Sequence, residues 1–168
     1  MNTSKNSIIK KNKEIFDYME DANKKILLSG KQIDPTCYAI VYNKKEEFSI
    51  YPIPLSQAVF PSEREALLKM MAGVLRMNKV KVKMFLMVTV AIVQKKDYSE
   101  EPKNCLLVSA RDYLDNQKNT LFEISEANGV VNLTEVEKRP KDGWVSKKSK
   151  GIEDSLLNTI WKEYRRVS

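Results

Sequence analysis

The apolar positions of the chain change period several times, and each change marks an element. Ile8, Ile15, Met19, Ala22 and Ile26 recur at helical spacing. Ser29-Gly30 supplies a stop and Pro35 blocks any continuation, so residues 7–29 read as an amphipathic helix. YAIVY (Tyr38 to Tyr42) and FSIYPI (Phe48 to Ile53) are β-rich runs around Asn-Lys-Lys-Glu-Glu and predict a hairpin. Pro52 and Pro54 put the end of its second strand at a sheet edge or at the exit, because proline cannot donate to a ladder. Ser62 with Glu65 after Pro61 has the form of a capping box. Leu67, Leu68, Met71, Val74 and Leu75 follow as a stripe, giving a helix over 62–77.

The stretch KVKVKMFLMVTVAIVQKK, Lys79 to Lys96, comes next. Its apolar run is about half the roughly 20 residues a spanning helix needs, so it reads as a strand. On strict alternation Val80, Val82, Met84, Leu86, Val88, Val90 and Ile92 share one face. Lys79, Lys81 and Lys83 begin the other, which continues as Phe85, Met87, Thr89, Ala91 and Val93. The switch from lysine to apolar on that second face fits a strand that enters at a rim and becomes covered on both faces further along. The alternative is a second face left open for a partner. The three lysines fit a rim that discourages edge-to-edge pairing.

CLLVSARDY, TLFEIS and VVNLTEV complete a run of strands, with LDNQKN and EANG as turns and Asn128-Gly129 as a strong hairpin signal. Short connections make neighbouring strands antiparallel, so the last four form a meander. Ile152, Leu156, Leu157, Ile160, Trp161 and Tyr164 predict a closing helix over 152–166. The expected fold is α+β, a mostly antiparallel sheet of about six strands with helices packed on one face, in the order α-β-β-α-β-β-β-β-α. One domain spans 1–168, with its core at 36–137 and a basic linker at 138–151; no internal repeat is evident.

Composition refines this picture. At 168 residues, 42% hydrophobic and 30% charged, the chain has the make-up of an ordinary folded domain. A chain of that length buries about 68–70% of its unfolded surface without needing staples. The N-terminus lacks an apolar signal region, and Cys37 and Cys105 lack metal-type spacing, which points to two reduced, buried thiols and an intracellular location. The net charge of +7 is uneven: residues 1–31 carry 7 basic and 4 acidic side chains, 32–137 carry 13 and 14, and 138–168 carry 9 and 4. The flanks hold the excess and imply an acidic partner.

The chain contains no histidine. That removes Ser-His-Asp and Cys-His nucleophile systems, His-ligated zinc and a histidine general base. Two cysteines cannot build a four-cysteine zinc site, and no phosphate-loop, dinucleotide or EF-hand pattern is present. A carboxylate-and-lysine nuclease wants Glu-x-Lys on a strand, yet the only one, Glu101-Pro102-Lys103, falls in an expected turn. Arg111 and Asp112 end an apolar strand and point to opposite faces, read either as a solvated or paired strand end or as a polar anchor in a pocket. Glu123, Glu135 and Glu137 read as structural if Lys or Arg faces them across the sheet. Cys105 reads as a small core residue.

Within the linker Lys138, Arg139, Lys141, Lys147, Lys148 and Lys150 surround Trp144. Charge beside a stacking ring fits a solvated loop with Trp144 latched to the domain, single-strand nucleic-acid contact, or protein docking. YAIVYN, FSIYPIP and FLMVTVAIV, over roughly residues 37–137, resemble in their order small bacterial and phage-borne α+β proteins of uncharacterised function. That resemblance implies the domain limits and a mobile-element origin, and it carries no functional residue across.

The expectation is therefore a non-enzymatic protein-binding or regulatory module, phage-borne and acting on a host protein, with no catalytic residue, cofactor, metal or membrane partner. The alternative is a nucleic-acid-binding accessory protein using Lys10, Lys11 and Lys13 at one end and Lys138 to Lys150 with Arg165 and Arg166 at the other. Lys79, Lys81 and Lys83 join the contact candidates under either reading. A carboxylate-metal enzyme stands third, and self-association into a homodimer is compatible with the first.

Overall fold

The computed structural model describes residues 2–42, 45, 47–94, 97–136 and 155–167. The elements run α1 (Asn2–Leu28), β1 (Thr36–Tyr42), β2 (Phe48–Pro54), α2 (Pro61–Met77), β3 (Lys81–Val93), β4 (Lys103–Asp112), β5 (Gln117–Ala127), β6 (Val130–Glu135) and α3 (Ser155–Tyr164). The expected α+β class and element order hold. The strands form one open antiparallel sheet in the order β2-β1-β3-β4-β5-β6, with the proline-bearing β2 on an edge and β3 to β6 as a meander. Asn128 and Gly129 both take positive φ, 53° and 76°, as the two-residue turn between β5 and β6 requires.

The layering differs from expectation, because helices cover both faces of the sheet. On one face Leu68 and Ala72 of α2 and Leu157, Ile160 and Trp161 of α3 pack with Cys37, Ala39, Ile53 and Phe85. On the other, Phe16, Met19 and Leu27 of α1 pack with Ile40, Met84, Leu86, Val88, Leu106 and Phe122. The sequence conceals the second arrangement because the buried line of α1 runs through Asn12, Phe16, Met19, Asn23 and Leu27. Two asparagines interrupt it, so the expected stripe sits one residue off, and Ile26 is exposed. Asn23 tolerates burial by donating its side-chain N–H to the Met19 carbonyl at 2.7 Å.

A bulge in β3 resolves the parity of the long apolar strand. Ile40 of β1 pairs with Met84 but Val41 pairs with Val82, which leaves Lys83 as the extra residue. Val82 therefore joins the α2/α3 core with Phe85 and Met87, whereas Met84, Leu86 and Val88 face α1. Strict alternation fails at that point. Coverage on both faces is complete in the middle of β3, from Met84 to Val88, and falls away towards its end, where Ile92 is 74% and Val93 39% exposed. The Phe85 and Met87 part of the second face is thus closed and the Val93 end is open.

Helix α2 begins one residue earlier than expected. Phe60 is its N-cap, Pro61 its first residue, and the Glu63 carboxylate accepts the Phe60 N–H at 3.1 Å, half of a capping box. Glu65 instead pairs with Lys69 one turn on, at 2.9 Å. Val74, expected in the buried stripe, is 45% exposed.

Helix α3 closes the structure. The Trp161 ring meets Phe85 edge-on at 4.8 Å and Tyr164 at 5.6 Å, and its indole N–H donates to the Arg111 carbonyl at 3.0 Å. The Tyr164 hydroxyl donates to the Val80 carbonyl and accepts the Val82 N–H at 3.1 Å. Replacing a buried Trp by Ala costs about 3–5 kcal/mol, so Trp161→Ala should lower the urea unfolding free energy by that amount. Trp161→Phe keeps a ring but withdraws the indole N–H from the Arg111 carbonyl, a loss of about 1–3 kcal/mol; equal losses in the two variants would contradict this account.

Candidate functional site

The register brings several of the expected contact residues to one end of the sheet. Strand β1 finishes and β2, β3 and β5 begin there, β4 ends there, and the C-termini of α2 and α3 arrive at the same place. Lys79 occupies the left-handed position just beyond α2, at φ 54°, with its N–H on the Arg76 carbonyl and the Val80 N–H on Leu75. Lys81 opens β3, pairs in register with Tyr42 and is exposed. The Lys83 ammonium lies over the Tyr113 ring at 4.4 Å and the Tyr42 ring at 5.4 Å. Burial pushes its pKa down, and Lys81 pushes it further the same way.

From α1, Asn12 reaches the Lys83 carbonyl at 3.5 Å and Lys11 lies over the Phe48 ring at 5.7 Å, so Lys10, Lys11 and Lys13 border the same end. Lys118 pairs with Asp17 at 3.2 Å and covers the Phe16 ring at 4.6 Å. From α3, Arg165 pairs with Asp115 at 2.9 Å, donates to the Tyr113 carbonyl at 2.8 Å and stacks on Trp161 at 4.5 Å. Arg165 is thus a latch, while Arg166, 69% exposed along its side chain, makes only a 3.5 Å approach to Glu163. The linker candidates Lys138, Arg139, Lys141, Trp144, Lys147, Lys148 and Lys150 lie outside the described residues, as does Glu137.

The opposite end of the strands carries both signs, since the β3–β4 connection holds Lys95 and Lys96 as well as acidic residues. Asp97, Glu100, Glu101 and Glu126 gather about the β3–β4 and β5–β6 connections. Lys103, at the start of β4, is tied to Glu123 at 3.1 Å and Glu100 at 3.7 Å. The expected cross-strand partner of Glu123 is therefore present.

Arg111 and Asp112 are both buried, 5% and 1% exposed, so the solvated strand-end reading is corrected. Asp112 organises the β4–β5 connection. One carboxylate oxygen accepts the Leu114 and Asn116 backbone N–H groups at 3.0 and 2.9 Å, and the other accepts the Asn116 side-chain amide at 3.0 Å. Burial outweighs these donors and holds its pKa above the usual carboxylate value. Register pairs Ser109 with Asn119 and Arg111 with Gln117, forming a buried polar strip beside Phe85. Sequence reading missed this strip, since Gln117 and Asn119 sat in an expected turn.

Cys37 and Cys105 are buried and form no disulfide, and burial raises the Cys105 pKa, which disfavours a reactive thiolate. Among the described residues no three Cys, Asp or Glu side chains converge as a metal site. Between α2 and α3 lies an open charged cleft of about 380 Å³ lined by Glu65, Lys69, Thr159, Lys162, Glu163 and Arg166. No described helix is long and apolar enough to cross a membrane. No protein-family model, curated protein or solved structure matches the chain.

Asp112 generates a stability prediction with a pH signature. Asp112→Ala removes the acceptor of two part-buried backbone N–H groups and should cost about 1–2 kcal/mol, whereas Asp112→Asn still accepts both and should cost less. Because the folded pKa is raised, the contribution is fully present below the unfolded value and is lost as pH rises through the folded one. Wild-type stability relative to Asp112→Asn should therefore fall with rising pH across that window. Denaturant titrations at a series of pH values would show the opposite slope if the carboxylate were held down by its donors.

Proposed function

We propose that this protein is a non-enzymatic binding module that docks through its basic pole on an acidic surface of a larger protein. The observation that carries the reading is the convergence of Lys79, Lys81 and Arg166 at one end of the sheet, on a frame held by α3. Long-range attraction from such a pole steers association. A binding role is supported by the structural work that three of the carboxylates do. Asp112 holds a turn, Glu123 pairs with Lys103 at the start of β4, and Glu163 holds the Arg76 side chain, whose N–H it accepts through its carbonyl at 2.6 Å.

Nucleic-acid contact is the second reading, because aromatic rings stand among the lysines of the pole. Those rings are occupied: Lys83 covers Tyr42 and Tyr113, and Lys11 covers Phe48. Single-strand binders present open rings on which bases stack. The more exposed Phe60 and Tyr98 lie at the other end. The occupied rings favour a protein partner.

Immobilised full-length chain should capture a partner from host extract in a nuclease-resistant, salt-sensitive manner. The Lys81→Glu/Arg166→Glu double variant should lose at least tenfold of that capture with an unchanged unfolding midpoint. Recovery that disappears on nuclease treatment would replace this reading with the nucleic-acid one, and capture indifferent to salt and to both charge reversals would remove the pole from the function.

A further inference from the structure

Helix α2 carries apolar side chains on the side turned away from its own core. Leu68 and Ala72 are fully buried against the sheet, yet Met70, Val74 and Met77 are 59%, 45% and 78% exposed. Ala66, Met70, Gly73 and Met77 follow one another at steps of four, three and four, which sets them in one line along the helix, with Val74 beside it. A surface helix ordinarily turns polar residues to solvent on that side.

Gly73 sharpens the observation. A β-carbon there would meet only the tip of the Arg76 side chain, at 4.0 Å, so packing within this chain gives no reason for glycine. In a helix interior glycine costs about 0.5–1 kcal/mol relative to alanine. Its use is to let another backbone approach closely.

The geometry points to a second copy of this chain as what covers α2, the two helices packing antiparallel about a two-fold axis between Met71 and Ala72. Under that operation Met70 of each copy faces Gly73 of the other, and Met77 faces Ala66. Large meets small at all four places, and the surface is complementary to itself as a two-fold contact requires. Charge selects the same direction. Glu63 stands in the first turn and Lys79 just past the last, so the antiparallel pair sets unlike charges and opposed helix dipoles at each end. A parallel pair would set like against like. The dimer separates the two basic poles to opposite ends, leaving Lys81 and Arg166 of each copy for the docking proposed above, on which this inference does not depend.

Sedimentation equilibrium of the full chain over micromolar to sub-millimolar concentrations tests the contact. The wild type should behave as a reversible dimer. Gly73→Met should weaken dimerisation at least tenfold while raising helix content slightly in the monomer, and Met70→Ala should also weaken it. Combining Met70→Ala with Gly73→Met exchanges large and small across the axis and should restore the dimer to near wild-type affinity. A wild type that stays monomeric throughout, or a dimer unmoved by Gly73→Met, overturns the proposal, and so does a double variant no better than Gly73→Met alone. Both substitutions lie on the exposed side of α2, and circular dichroism confirms folding of all three variants.

Discussion

The seating of Trp161 on Phe85 is the interaction on which the rest of the structure depends. Helix α3 is short, and its residues gain little by themselves, since helices under about 12–15 residues are marginal in water. Its stability comes from the aromatic trio Phe85, Trp161 and Tyr164 and from polar ties that close on three separate elements. Trp161 binds the end of β4 through the Arg111 carbonyl, Tyr164 binds the start of β3, and Glu163 binds α2 through Arg76. Each tie spans at least 50 residues of chain, so the last element fixes the geometry of parts laid down much earlier.

That fixing explains where charge can be displayed. The bulge at Lys83 turns the first residues of β3 so that Val82 enters the core under α3, and Lys83 is left between two tyrosine rings. Arg165 is drawn back over Trp161 and onto Asp115, whose left-handed backbone, at φ 64°, belongs to the turn that Asp112 organises. Lys83 and Arg165 are therefore structural, and the exposed Lys81 and Arg166 stand on a frame already in place. Preorganisation of this kind lowers the ordering cost of association.

Much of the fold was legible because it rests on period and turn chemistry. Asn128-Gly129 named its own hairpin, Pro52 and Pro54 marked an edge, and the short connections forced an antiparallel meander. What was not legible has identifiable causes. Asn12 and Asn23 disguise the buried line of α1, and with it the second covered face. A single bulge residue shifts every parity argument upstream of it by one, which no alternation rule detects. The candidate site was half visible: the lysines of β3 announced themselves, but their meeting with α3, and the division of Arg165 from Arg166 into latch and more exposed charge, depends on contacts between residues far apart in sequence. The buried strip of Ser109, Arg111, Gln117 and Asn119 carried no pattern, since polar residues in a strand ordinarily signal solvent.

The central claim is that the basic pole is a preformed surface locked by α3. Native-state hydrogen exchange of the wild-type chain tests it at the Val82 amide, which donates to the Tyr164 hydroxyl, and at the Tyr113 amide, which donates to the Lys83 carbonyl. The account predicts that both amides exchange only through global unfolding, with the same free energy as the central β3–β4 ladder. Exchange of either through a low-energy local opening, while the Met84 to Val88 amides stay protected, would contradict it.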